Sequence, residues 1–215
     1  MKIYIDTANI EEIREIASWG ILDGVTTNPS LIAKTGKNFK EVIKEIADIV
    51  DGPISAEVLS DDRENIVKEA VDLYNIHRNI VIKIPITKEG LRATYKLDKL
   101  HIPVNMTLVF SVNQAVLAAK AGARYISPFI GRLDDIDADG ITILSQIMKA
   151  TEGYDVEIIA ASIRDLWHTQ EIALLNCDIA TIPYKILKQM LLHSLTADGI
   201  KKFKDDWKKS SQGKN

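Results

Sequence analysis

The sequence predicts an α/β fold: a single-domain (β/α)8 TIM barrel with an additional C-terminal helix. Eight short apolar runs recur along the 215 residues, and each is followed by a segment of helical periodicity. Several runs are rich in Ile and Val without strict alternation, as expected of parallel strands covered on both faces. No Pro/Gly/Ser-rich linker divides the chain, and a barrel of this length is ordinary as one domain. The rival is an open doubly wound sheet. Against it, no G-x-G-x-x-G follows the first strand, no Walker A motif is present, and eight regular units favour closure. The expected domain is 1–209, including the C-terminal helix, with 210–215 as a flexible tail.

KIYID (2–6) opens the series. NIEEIREIASWG follows, with Ile10, Ile13, Ile16 and Ala17 on one stripe and Asn9 with Glu12 as a capping box. GVTT (24–27) is the second strand, and NFKEVIKEIADIV the second helix. That helix starts with Asn38 and Glu41 and carries Phe39, Val42, Ile43, Ile46 and Ile49 on its apolar side. PISAEV (53–58) leads to a helix at about 62–76, and NIVIKIP (79–85) to one at about 88–100. PVNMTLV (103–109) leads to SVNQAVLAAKAG, which starts with Ser111 and Gln114 and stops at Gly122, a residue suited to the C′ position. RYISPF (124–129), VEIIAAS (156–162) and DIATIP (178–183) precede helices at about 138–150, 165–176 and 184–193. TADGIKKFKDDWKK, with Ile200, Phe203 and Trp207 on one side, is the extra C-terminal helix.

Composition excludes several function classes. A formal net charge of −3 offers no basic face for nucleic acid, though local arginines can still bind small anions. The single cysteine, Cys177, can form no internal disulfide, and no cysteine cluster exists to hold zinc. The N-terminus is too short and too quickly acidic for a signal peptide, and no run of 18 apolar residues spans a membrane. The cytoplasm is the expected compartment. His77, His101, His168 and His193 are scattered, with no metal-ligand spacing, and read as helix-surface or loop residues. Trp19, Trp167 and Trp207 lie in helical segments and read as core or interface packing. The apolar face of KKFKDDWKK is narrow, which favours a solvated helix packing on protein over a membrane-surface helix.

Polar residues gather at the C-terminal ends of the strands. Asp6 ends the first; Thr26, Thr27 and Asn28 the second; Glu57 the third. Lys83 lies near the end of the fourth, and Asn105 and Thr107 share a face of the fifth. Ser127 is near the end of the sixth with Arg132 beyond it, and Ser162 closes the seventh with Arg164 just after. In a barrel these positions converge at the C-terminal mouth, where active sites are built.

Lys83 sits in an otherwise aliphatic run, among Val81, Ile82, Ile84 and Ile86. A buried ammonium is costly, so Lys83 is an exposed edge residue, half of a buried ion pair, or a nucleophile kept close to neutral. Partial burial disfavours its charge and the carboxylates of Asp6 and Glu57 favour it; sequence leaves that balance open. A neutral amine there can attack a carbonyl and form a Schiff base, an electron sink beside which a C–C bond breaks. Asp6 and Glu57 are the candidate proton shuttles. Arg132 and Arg164 suit a phosphate, and the helix N-terminus after the seventh strand can assist them.

These residues carry a resemblance. DTAN (6–9), GVTTNPSL (24–31), SAEV (55–58), IVIKIP (80–85), NMTLVFS (105–111), SPFIGR (127–132) and AASIR (160–164) resemble the motifs of the transaldolase family, in their order, over residues 1 to about 209. The match is to its small form, related to the fructose-6-phosphate aldolases. The resemblance implies a (β/α)8 barrel with the Schiff-base lysine at Lys83, Asp6 as general acid–base, and Glu57 acting with a water that Thr107 positions. It implies Asn28 and Asn105 as hydrogen-bond partners of a dihydroxyacetone unit, with Thr26 nearby. Ser127 and Phe129 would shape the pocket beside the imine, and Arg132, Ser162 and Arg164 would bind phosphate. It further implies transfer of dihydroxyacetone between sugar phosphates in the non-oxidative pentose phosphate pathway, without metal or organic cofactor. A homo-oligomer, a pentamer or decamer, is implied as well, with C-terminal helices crossing between subunits and Phe203 and Trp207 as contact candidates.

Fructose-6-phosphate aldolases, which release free dihydroxyacetone, typically carry Gln at the position of Glu57 and Tyr at that of Phe129; both residues here match transaldolases. A Tyr hydroxyl can engage a catalytic water and Phe cannot. Two further classes compete: a barrel enzyme using enediol chemistry, in which Lys83 is electrostatic, and a binding protein that has lost turnover. The second predicts loss of Asp6, Glu57 or Lys83, and all three are present.

Overall fold

The computed structural model describes residues 1–212. Eight strands form one closed, fully parallel barrel in sequence order: β1 (Lys2–Asp6), β2 (Gly24–Thr26), β3 (Ile54–Glu57), β4 (Ile80–Pro85), β5 (Val104–Val109), β6 (Tyr125–Pro128), β7 (Glu157–Ala160) and β8 (Ile179–Ile182). Closure is sealed by β1 pairing with β8. The predicted strand segments each contain an observed strand.

Around the barrel run α1 (Ile10–Ser18), α2 (Pro29–Thr35), α3 (Phe39–Ala47), α4 (Arg63–Tyr74), α5 (Lys88–Asp98) and α6 (Val112–Lys120). They are followed by α7 (Ile130–Asp134), α8 (Gly140–Thr151), α9 (Leu166–Leu174), α10 (Tyr184–Met190) and α11 (Ser194–Gln212). Two of these, α2 and α7, are not in the sequence reading. The start and stop signals of α2 are present, with Asn28 as N-cap, Pro29 in the first turn and Gly36 left-handed at the end, but it is short. Helix α7 spans five residues and has no side-chain cap. Helix α11 extends past the expected end at 209 through Gln212; the rest of the expected tail, 213–215, lies outside the described residues. No helix among the described residues is long and apolar enough to cross a membrane.

The expected capping boxes are rewired. Asn9 caps α1 by accepting from the Glu11 and Glu12 amides, but the Glu12 carboxylate accepts from the Thr7 hydroxyl (2.6 Å), which itself accepts from the Asn9 amide. At α6, Ser111 accepts from Gln114, while the Gln114 side chain accepts from the amide of Phe110. Gly122 follows α6 with a φ of +91°, the left-handed conformation expected of it.

The core has two parts. The larger, dominated by Ile, lies between the outward face of the strands and the helices. The smaller, Tyr4, Val81, Tyr125, Ile159 and Ile179, fills the barrel interior. Strand side chains repeat every second residue. Two residues on from these five, in the C-terminal direction, stand Asp6, Lys83, Ser127, Ala161 and Thr181, all of which line one cavity. An apolar floor thus supports a polar layer directly above it.

Ile82 is fully buried between β4 and the helices, beside Lys83. Ile82→Ala should lower stability by about 2–5 kcal/mol in urea unfolding. A loss below about 1 kcal/mol would show that this strand is not held by its outer face.

Candidate active site

Register delivers the central pair. Glu57 of β3 lies opposite Lys83 of β4, and Lys83 lies opposite Asn105 of β5. Lys83 is 4% exposed; its Nζ sits 3.0 Å from Glu57 Oε2 and donates to the Thr27 carbonyl at 3.0 Å. Of the three readings of Lys83, the exposed edge is excluded. The resting arrangement is a buried ion pair with Glu57.

Asp6 lies at the end of β1, opposite Thr26, whose Oγ1 donates to its Oδ1 at 3.1 Å. Thr26 also meets Thr181 of β8, Oγ1 to Oγ1 2.6 Å. Burial pushes the Asp6 carboxyl above its usual range; the Lys83 charge and the Thr26 hydrogen bond oppose this, and the Glu57 charge adds to it.

Across the barrel, Ser127 Oγ donates to Asn105 Oδ1 at 2.8 Å, and Asn105 Nδ2 donates to Ser55 Oγ at 3.1 Å. This chain fixes which way the amide points. Thr107, above Asn105, has a fully buried hydroxyl without a hydrogen-bond partner. Immediately after it, Leu108 has a φ of +57° and the β5–β6 register shifts, so the strand bulges here. A left-handed bulky residue is strained, and strained backbone of this kind clusters at functional sites.

Just beyond β6, the Phe129 ring lies near two cations: Lys83 Nζ at 5.9 Å from its centroid and the Arg132 guanidinium at 5.1 Å. Arg164 is half-exposed and pairs with Asp135 at 2.7 Å. Ser162 has a φ of +62°. The helix bearing Arg132 approaches this loop closely enough that a Cβ on Gly131 would stand 2.1 Å from the Ser162 carbonyl. Only glycine fits there. At the N-terminus of α9, Asp165 Oδ1 accepts from the His168 amide, so one of the N–H groups expected to assist is already engaged.

The cavity, about 190 Å³, is lined by Asp6, Thr26, Asn28, Lys83, Ser127, Phe129, Arg132, Ser162 and Arg164. Glu57, Asn105 and Thr107 are not in its wall; Glu57 reaches it through Lys83, and Asn105 through Ser127. Asn28 lines the cavity, and its Oδ1 accepts from the Leu31 amide. A larger groove of about 620 Å³ between α1, α2 and α10 shares only Asp6 and Pro183 with the site.

Sequence reasoning missed Thr181 and Ser55. The signal was available: each is a polar residue in an apolar strand, in the inward phase. His168 was misplaced. Expected on a helix surface or loop, it is 3% exposed, because the imidazole turns inward between Arg164 and Asp134. Trp19 packs partly buried on the core, whereas Trp167 and Trp207 are 54% and 75% exposed. Among the described residues no group of three or more His, Cys, Asp or Glu is placed to hold a metal.

The model of the family described as Transaldolase/Fructose-6-phosphate aldolase matches residues 3–213. The chain belongs to this family. A relative described as "Probable transaldolase" from Thermoanaerobacter sp. (strain X514) is 57% identical over 212 residues, 98% of each chain. Another with that description, from Alkaliphilus metalliredigens (strain QYMF), is 59% identical over 209 residues, covering 96% of this chain and 98% of the relative. Among solved structures, orotidine 5'-monophosphate decarboxylase from Methanocaldococcus jannaschii, complexed with the inhibitor BMP, superposes with a TM-score of 0.60 at 15% identity. That match covers 86% of this chain and 90% of the decarboxylase, and shows a shared barrel fold. Membership makes the chain an enzyme of the transaldolase family.

Because burial favours protonated Asp6 in the fold, ionising it costs stability as pH rises from about 4, the ordinary aspartate value, through its folded range. Asp6→Asn removes that cost. In urea unfolding, the stability of Asp6→Asn relative to the parent should grow between about pH 4 and 7. A flat or shrinking difference would contradict the assigned burial effect.

Proposed function

We propose that the chain is a Schiff-base transaldolase that moves a dihydroxyacetone unit from sedoheptulose 7-phosphate to glyceraldehyde 3-phosphate, giving erythrose 4-phosphate and fructose 6-phosphate. The observation that carries this reading is the buried Lys83, held 3.0 Å from Glu57 beside a cavity that also contains Asp6.

With its proton passed to Glu57, the Lys83 amine attacks the ketose C2 carbonyl, and the carbonyl oxygen leaves as water as the iminium forms. Asp6 takes the proton of the C4 hydroxyl. The C3–C4 bond breaks, its electron pair is delocalised onto the iminium nitrogen as an enamine, and the shortened aldose phosphate departs. The enamine then attacks the acceptor aldehyde, Asp6 returns the proton to the new alkoxide, and water hydrolyses the imine to free Lys83.

Charge at the lysine nitrogen is coupled to Asp6. Positive nitrogen lowers the Asp6 pKa, so the iminium favours the carboxylate that acts as base. The neutral enamine removes that influence and favours the protonated acid. Thr107, Asn28, Asn105 and Ser127 are assigned to the water and the dihydroxyacetone hydroxyls, and Arg132, Ser162 and Arg164 to the phosphate. Glu57 and Phe129, in place of Gln and Tyr, favour transfer over release of free dihydroxyacetone. We place the enzyme in the cytoplasm, where its lone thiol, Cys177, stays reduced.

Incubation with fructose 6-phosphate followed by borohydride should leave a reduced three-carbon adduct on Lys83, located by peptide mapping, and none on Lys83→Met. Adding erythrose 4-phosphate should consume the unit as sedoheptulose 7-phosphate. Absence of an adduct on folded parent protein would overturn the imine reading and favour enediol chemistry.

We also propose a homo-oligomer, a pentamer or a pair of pentamers, joined through the C-terminal segment. Leu191, Leu192, Leu195, Phe203 and Trp207 are each between 64% and 75% exposed. Such a cluster marks an association surface. Light scattering should give a mass several times 24.0 kDa, and Phe203→Glu should reduce it. A monomeric parent would refute this assignment.

A further inference from the structure

We propose that His168 is the positioning residue that holds the two arginine-bearing segments of the anion subsite at a fixed spacing. It rests on the reading above, in which Arg132 and Arg164 bind the substrate phosphate.

The two arginines come from different connections, Arg132 from α7 after β6 and Arg164 from the loop after β7. His168, in the first turn of α9, bridges them. Its Nδ1 accepts from the Arg164 amide at 3.1 Å, so the neutral ring carries its proton on Nε2 and donates it to Asp134 Oδ2 at 2.8 Å. Asp134 sits two residues after Arg132, and its other oxygen accepts from the Gly140 amide at the start of α8. One imidazole therefore ties the Arg164 backbone to the helix that carries Arg132.

The alternative tie is weaker. The Arg164–Asp135 pair is exposed on both sides, 51% and 58%, where solvent screens it. His168 is buried, with the Trp167 ring 5.5 Å from it. The segment it restrains includes Ser162 in a left-handed conformation, which persists only where the surroundings over-determine it. The Gly131 contact allows the two segments to approach; the His168 bridge sets how far apart their guanidinium groups stand.

The test separates phosphate handling from imine chemistry. Three quantities are measured on the full-length protein: borohydride trapping with free dihydroxyacetone, kcat and KM for fructose 6-phosphate with erythrose 4-phosphate as acceptor, and inhibition by inorganic phosphate. His168→Leu should raise KM and the phosphate inhibition constant about tenfold while trapping with dihydroxyacetone is unchanged. His168→Gln, whose amide offers one acceptor and one donor, should stay close to the parent. Unchanged KM and inhibition constant in His168→Leu, or trapping reduced in the same proportion, overturns the proposal. If His168→Leu does not fold, His168→Asn decides: it can serve the Arg164 amide but is too short for Asp134. A raised KM supports the bridge, and a parental KM refutes it. A parent protein that traps neither dihydroxyacetone nor fructose 6-phosphate refutes the underlying function instead.

Discussion

The structure turns on a charge pair that the barrel interior would otherwise exclude. An ammonium and a carboxylate taken out of water lose several kcal/mol of solvation each, and their mutual attraction offsets this only with good geometry and further hydrogen bonds. Lys83 and Glu57 meet both conditions: they are adjacent in register on β3 and β4, and the Thr27 carbonyl takes a second ammonium proton. The register is itself enforced. A slip of one residue would turn Lys83 into the Ile-packed layer between strands and helices and drive Ile82 or Ile84 into the barrel. The aliphatic residues flanking Lys83 therefore specify where its amine points.

Below this pair lies the apolar floor of Tyr4, Val81, Tyr125, Ile159 and Ile179, closed at the far end by Lys2, Arg124, Glu157 and Asp155 in an exposed ion network. The floor keeps bulk water from reaching the site from below, which strengthens every electrostatic interaction above it. Asp6 feels this most. Burial raises the pKa of its carboxyl and the neighbouring ammonium lowers it, so its protonation is sensitive to the charge on the Lys83 nitrogen. A carboxylate in free solvent would not respond in this way.

The side with Arg132 and Arg164 is built differently. Its arginines project from loops, and their placement depends on the contacts between α7 and the segment after β7: the Gly131 approach, the Arg164–Asp135 pair and the buried His168 bridge. In the proposed reading, the reacting end of a substrate meets strand-borne groups locked by register, while its charged end meets loop-borne groups locked by side-chain bridges. The barrel shared with orotidine 5'-monophosphate decarboxylase at 15% identity underlines the division, since the fold supplies the mouth and the individual side chains supply the chemistry.

Periodicity by itself determined the eight strands, their parallel order and the face on which Asp6, Lys83, Ser127 and their neighbours gather, because strand alternation and helical stripes are local consequences of backbone geometry. The motif series, from DTAN to AASIR, determined the family. Tertiary structure decided what depends on partners distant in the chain. Glu12 bonds Thr7 and not the capping amide; Thr181 meets Thr26 across the closure of the barrel; Asn105 is oriented by Ser55 and Ser127 from two other strands. His168 is the clearest case. On its own helix it reads as a surface residue, and only the packing of α7 against the loop after β7 buries its ring and gives each nitrogen a partner. Local pattern encodes which face a side chain occupies; which group meets it there is set by the closure of the barrel and the approach of its loops.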